Sequence, residues 1–142
     1  MSFDLKLENQ LCFPVYALSR QIIKKYRPFL KEIDLTYTQY ITMLVMWEKE
    51  KITSREIGKL LYLDSGTLTD VLRKLEDKNL IERKRNSKDN RNLDISITQK
   101  GRDLEQKAKD IPKKLFCELG LKESEAIELR ELLKKSLNLI TK

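Results

Sequence analysis

The 142-residue chain is predicted to be mainly α-helical with one small β-hairpin, and three observations carry that prediction. Apolar residues recur every three or four positions over most of the chain, the period of a helix that buries one face. The period changes to two across residues 80–97, as expected of strands. Threonine and aspartate stand where helices should begin, and Gly120 stands where one should stop.

Taken in order, residues 8–32 place Leu11, Val15, Leu18, Ile22, Tyr26 and Phe29–Leu30 on a helical stripe. Pro14 suits the first turn of a helix starting near Cys12, and Pro28 is expected to kink or end it. Thr36 is the expected N-cap of a helix over 37–48 whose apolar face reads as Tyr40, Ile41, Leu44, Val45 and Trp47. Thr53 then caps a helix over 54–61. The chain turns through Tyr62 and Leu63, and Asp64 or Ser65 caps a longer helix to about residue 78. Residues 80–85 and 93–97 read as two strands around a polar turn, 86–92. Thr98 caps a helix expected to run from 99 to about 118, stopped by Gly120. A last helix over 123–140 carries Ala126, Leu129, Leu132, Leu133, Leu137 and Ile140 on one stripe.

Composition narrows the chemistry. The chain has no histidine, so Ser-His-Asp and Cys-His catalysis, imidazole zinc ligation and imidazole proton relays are absent. Its two cysteines make a structural zinc finger a poor reading, and its four glycines form neither a G-x-x-x-x-G-K nor a G-x-G-x-x-G cradle. No cofactor and no metal are expected, and an enzyme is the weaker reading. The first residues lack an apolar signal-peptide core, and the longest apolar run, 43–47, is far short of the ~20 residues of a membrane span. A cytoplasmic protein with no membrane association is expected, its cysteines held as thiols. With 29 Lys and Arg against 22 Asp and Glu, the net charge is +7. That excess points to an anionic partner, nucleic acid or membrane surface, without choosing between them.

Two short helices joined by a tight turn and followed by a basic hairpin form a winged helix-turn-helix, here spanning 36–98. The second helix of the pair bears Ser65, Thr67 and Thr69 on its first turns and Arg73 and Lys74 later. Small polar residues at that end let a helix enter a major groove about 12 Å wide, and the helix N-terminus favours phosphate. Between Glu82 and Arg91 the hairpin holds five basic side chains, Arg83, Lys84, Arg85, Lys88 and Arg91, against Glu82 and Asp89. An arginine at such a tip suits a narrow minor groove. A charge run by itself is usually a solvated loop. The helix-turn-helix upstream makes double-stranded DNA the expected partner.

The run Leu63-Asp64-Ser65-Gly66-Thr67-Leu68-Thr69, then Leu72-Arg73-Lys74-Leu75-Glu76 and Lys88-Asp89-Asn90-Arg91-Asn92-Leu93, resembles the MarR family of transcriptional regulators. The resemblance covers almost the whole chain. It implies a homodimer on a pseudo-palindromic operator, with 6–32 and 99–142 supplying dimerisation helices and 1–142 forming one subunit. It also implies that Asp89 orients Arg91 at the wing tip while Ser65, Thr67, Thr69 and Arg73 face the major groove. The apolar stripe of 123–140 needs a covering surface, which a partner chain would supply.

Within that family, Asn9-Gln10-Leu11-Cys12-Phe13, Tyr16-Ala17, Tyr26-Arg27-Pro28 and Leu35-Thr36-Tyr37-Thr38-Gln39-Tyr40 resemble the OhrR subgroup, and the SarZ and MgrA type of staphylococcal regulator is similar. The resemblance implies that Cys12 is a thiol reactive toward organic hydroperoxides, that Tyr26 and Tyr37 of the opposite subunit stabilise its thiolate, and that Cys117 resolves it as an inter-subunit disulfide. Other readings stay open. Cys12 also reads as a small apolar filler, Tyr26 and Tyr37 as core aromatics, and Cys117, between Phe116 and Glu118, as a buried inert thiol. A regulator gated by a small aromatic ligand, a thiol peroxidase using both cysteines, and a protein-binding adaptor are the rival functions.

Overall fold

The computed structural model describes residues 1–142. Its contacts divide into two units, 1–109 and 110–142. The first opens with a short 3-10 turn, Leu7–Asn9, and a long helix α1, Cys12–Lys31. Pro28 lies inside α1, which continues three residues past it. A proline in the last turn removes one hydrogen bond near an end that frays anyway, so the expected stop comes later.

Helix α2, Tyr37–Lys49, begins with a reciprocal capping box: the Thr36 hydroxyl accepts the Gln39 N–H, and Gln39 Oε1 accepts the Thr36 N–H. Its buried side coincides with the one read from the sequence only at Tyr40. Gln39, Tyr40, Thr42, Met43 and Met46 are buried, whereas Leu44 is exposed and Ile41, Val45 and Trp47 are half-buried. The polar members are accommodated because their hydrogen bonds are made. Thr42 donates to the Thr38 carbonyl (2.8 Å), and Gln39 Oε1 also accepts from Lys78 Nζ (2.9 Å).

A three-residue strand β1, Lys51–Thr53, precedes α3, Ser54–Leu61, and α4, Ser65–Asp77. The turn between the helices puts Tyr62 in the left-handed region (φ 55°), and the Leu63 N–H bonds the Gly58 carbonyl (3.1 Å). Asp64 caps α4 by accepting the Thr67 N–H at 2.7 Å. Strands β2, Ile81–Arg85, and β3, Leu93–Ile97, follow as expected. The sheet, however, has a third member: its order is β1-β3-β2, antiparallel throughout. Three residues are too few to display a period of two, so β1 was invisible in the sequence. The central strand sets Ile95 opposite both Ile52 and Arg83, and Ile97 opposite Ile81. These four isoleucines are buried with Leu68, Val71, Leu72 and Leu75 of α4.

Thr98 caps α5, Gln99–Ala108, which ends the first unit. The expected continuous helix to residue 118 is instead divided at Lys109–Asp110. Pro112 is the reason: it has no N–H to give the Ala108 carbonyl and takes its place in the first turn of α6, Ile111–Glu118. Helix α7, Glu123–Ile140, completes the second unit, and none of its residues is buried within the subunit. No helix is long and apolar enough to cross a membrane.

Candidate nucleic-acid interface

The face of α4 opposite its four buried apolar residues is exposed and carries Ser65, Thr67, Thr69, Arg73 and Lys74. The amphipathic spacing therefore turns all five candidate side chains outward together. Three of them are partly engaged within the helix. The Thr69 hydroxyl donates to the Ser65 carbonyl (2.7 Å), while Arg73 and Lys74 both pair with Asp70 (2.7 and 2.9 Å). Lys74, then Arg73, hold the Asp70 carboxyl below the usual carboxylate range. These pairs are solvent-exposed and weak, so a phosphate can exchange for Asp70 at small cost. The Asp64 carboxyl is likewise lowered by its hydrogen bonds to Thr67, placing an anion at the N-terminus of α4.

The wing is held at its base and at its tip. At the base, Arg83 is committed to Glu76 of α4: its backbone N–H, Nε and Nη2 all donate to that carboxylate, at 2.9, 3.2 and 3.0 Å. Arg83 is thereby taken out of the set of charges counted for DNA, and its guanidinium keeps Glu76 below the ordinary range. Lys84, Arg85, Lys88 and Arg91 are exposed.

At the tip, Asn86 Oδ1 accepts the Lys88 and Asp89 N–H groups (2.9 and 3.1 Å), shaping the loop. Asp89 meets Arg91 at its backbone. Its Oδ1 accepts the Arg91 N–H (3.0 Å), and its Oδ2 pairs with Arg55 Nη2 of α3 (2.8 Å). Those two donors, the Arg91 N–H first, hold the Asp89 carboxyl low. Between α3, α4 and the wing lies a cleft of about 460 Å³, lined by Ser54, Arg55, Lys59, Ser65, Thr69 and Arg91 among others. Ser54, Arg55, Glu76 and Asn92 escaped the sequence reading. The one signal for Asn92 was a polar residue directly before an apolar strand.

Neither cysteine is part of α3, α4 or the wing. Cys12 is the first residue of α1 and Cys117 lies in α6 of the second unit, and both are free and exposed. Neither is therefore a buried residue within the subunit. Tyr26 and Tyr37 stack at 5.0 Å between ring centroids, and Tyr40 lies 5.5 Å from Tyr26. Burial raises all three phenols above the ordinary tyrosine range. They therefore remain O–H donors at neutral pH.

A helix-turn-helix whose polar face, cleft and braced basic hairpin lie on one side defines a winged-helix DNA-binding protein. Comparison with known proteins carries this further. The family model described as transcriptional regulator SarA/Rot matches residues 24–108. The chain is 46% identical over 135 residues to the HTH-type transcriptional regulator SarZ of Staphylococcus saprophyticus, covering 95% of this chain and 92% of the relative. It is 47% identical over 131 residues to the organic hydroperoxide resistance transcriptional regulator of Bacillus subtilis, covering 92% and 87%. Among solved structures, reduced AbfR bound to DNA superposes with a TM-score of 0.76 at 32% identity, over 96% of this chain and 95% of that one; AbfR comes from Staphylococcus epidermidis. AbfR has also been solved in a disulfide form, with a TM-score of 0.63, 34% identity, and coverage of 96% and 93%. The chain belongs to the SarA/Rot family of transcriptional regulators, of the MarR type. It is a DNA-binding regulator and not an enzyme.

Proposed function

We propose that the protein is a cytoplasmic homodimer that binds a pseudo-palindromic operator when reduced and leaves it when an organic hydroperoxide, or another oxidant, oxidises Cys12. The observation that carries this reading is the free, exposed Cys12 thiol at the N-terminal turn of α1. Exposed Phe13, Val15 and Tyr16 beside it offer an apolar approach for an organic peroxide. Tyr26 and Tyr37 of the opposite subunit would donate O–H groups to the thiolate, a role that their raised ionisation permits.

The chemistry is a two-electron oxidation. The Cys12 thiolate attacks the peroxide O–O bond, which breaks to leave sulfenic acid on Cys12 and, after protonation, the alcohol. The Cys117 thiol of the opposite subunit then condenses with it, releasing water and closing a disulfide. A homodimer is supported by apolar side chains that the isolated subunit leaves exposed: Leu11 and Leu18 before and on α1, and Leu133 and Leu137 on α7.

On DNA, Ser65, Thr67, Thr69, Arg73 and Lys74 enter the major groove, and Arg85, Lys88 and Arg91 reach phosphates or the minor groove, with Asp89 orienting the tip. Two such units must sit one helical turn apart, roughly 34 Å, so a small rotation between subunits disengages both.

The test is non-reducing electrophoresis of the purified protein with a few equivalents of cumene hydroperoxide, beside Cys12→Ser and Cys117→Ser, together with DNA binding. A covalent dimer lost in both variants, with DNA release lost in Cys12→Ser, is the expected result. Release that persists in Cys12→Ser removes Cys12 as the switch. Oxidative release without a covalent dimer removes Cys117 as its resolving partner.

A further inference from the structure

We infer that Asn92 is a positioning residue for DNA binding: its buried amide locks the wing tip to the first turn of α3, so that Arg91 and the outer face of α4 are presented to one duplex together. The inference rests on reading Arg91 as a DNA contact. Asn92 is only 9% exposed, although it follows a solvent-facing loop. Its Oδ1 accepts three hydrogen bonds, from Ser54 Oγ (2.9 Å), the Arg55 N–H (3.1 Å) and the Leu93 N–H (3.0 Å). Ser54 Oγ returns to the same strand by accepting the Leu93 N–H at 3.0 Å.

The Arg55 N–H is one of the first-turn donors of α3 that no helical carbonyl can satisfy. Thr53 caps the Glu56 N–H, and Asn92, from 37 residues further along, caps Arg55. The wing thus completes the N-terminus of α3. Its backbone closes the loop as well: the Asn92 N–H donates to the Asp89 carbonyl (3.0 Å), and the Asn92 carbonyl accepts the Asn86 N–H (3.1 Å). Arg91 is one peptide from this anchor, so its Cα is held about 3.8 Å from that of Asn92.

A second tie runs beside the first, the Arg55–Asp89 ion pair, but its side chains are about half exposed. Such a pair is screened by salt and loosened by a nearby phosphate. The neutral bonds of Asn92 are shielded from water and persist at the ionic strengths where a regulator works. Helix α3 packs directly on α4, so the wing's placement is passed on to the reading helix.

The experiment uses the full chain and the 30-base-pair duplex that the wild-type protein enriches from a random pool. Affinity is followed by fluorescence anisotropy across a KCl series, and thermal melting is recorded for every variant. Arg91→Ala is expected to weaken binding about tenfold and to lower the salt slope by about one per wing. Asn92→Ala is expected to do the same, and the double variant to be no weaker than either single one, because both remove one contact. Ser54→Ala, which keeps the Asn92 bonds to Arg55 and Leu93, is expected to show a smaller loss in the same direction, and it decides the matter if Asn92→Ala does not fold. A variant at Asn92 that melts lower yet keeps wild-type affinity and slope overturns the inference, as do losses that simply add. Wild-type binding by Arg91→Ala would instead overturn the reading of the wing tip as a DNA contact.

Discussion

Gly101 is the position at which local propensity and tertiary packing disagree most, and Gly101→Ala separates them. The residue lies in the first turn of α5, where alanine is favoured over glycine by about 1 kcal/mol from helix propensity alone. Packing opposes that gain. A β-carbon at this site would overlap the Leu80 carbonyl oxygen and lie 2.8 Å from Ile97 Cγ1, 3.2 Å from the Leu80 carbonyl carbon. Two of those three atoms are backbone and cannot rotate away, so α5 must shift off the strand root. Overpacking of this kind costs about 1–3 kcal/mol. The shift also strains the bond from Trp47 Nε1 to the Gly101 carbonyl (2.8 Å), worth about 1 kcal/mol. The balance is a loss of about 2 kcal/mol, or roughly 4–8 °C in Tm for a chain of this size. Thermal melting by circular dichroism at one protein concentration is the assay. Gly66→Ala, where a β-carbon meets nothing within 4 Å, serves as control and should melt slightly higher than wild type. If Gly101→Ala melts at or above the wild type, the close approach of α5 to the sheet is wrong.

Two further predictions concern the same frame and its ionisable groups. Thr98→Ala removes the acceptor of the Gly101 N–H (3.0 Å) and the hydroxyl bond to the Asn79 carbonyl (2.6 Å), and should cost about 1–2 kcal/mol, most of it recovered in Thr98→Ser; equal melting of all three proteins would refute the cap. Asp64, Asp70, Glu76 and Asp89 bind protons less tightly folded than unfolded, so their contribution is complete above the ordinary carboxylate range and is lost as pH falls through their lowered values. Tyr26, Tyr37 and Tyr40 bind theirs more tightly folded, so their contribution is complete below about pH 10 and is lost as pH rises beyond it. Tm should therefore hold between about pH 5 and 9 and decline below about 4 and above about 10, with Tyr26, Tyr37 and Tyr40 titrating late at 295 nm. A Tm at pH 3 equal to that at pH 7 would contradict the carboxylate assignment.

Much of the interface was legible because helix capping and hairpin formation are local chemistry. Thr36, Thr53, Asp64 and Thr98 each satisfy a backbone N–H three residues ahead, so their meaning is contained in a few consecutive residues. The change of period at residue 80 placed β2 and β3, and the small polar and basic side chains of α4 fell on one face because a 3.6 period put them there. The division of the last long helix was equally local and turned on Pro112.

Other features depended on what lies opposite. The buried arc of α2 includes Gln39 and Thr42 because Lys78 and the Thr38 carbonyl meet them, which no period reveals. Strand β1 exists because β3 offers it a second edge. The two flanking thiols were visible as residues, but their exposure is a matter of packing. The sequence by itself determined where the elements begin and which side chains form the reading helix and wing, since caps and amphipathic periods act within one or two turns. Only the tertiary structure decided that Arg83 is spent on Glu76, that Asp89 ties to Arg55, and that Asn92 anchors the wing to α3. Each of those bonds joins residues brought together by the sheet and the helix-turn-helix, and a hydrogen bond exists only where folding has set its partners about 3 Å apart.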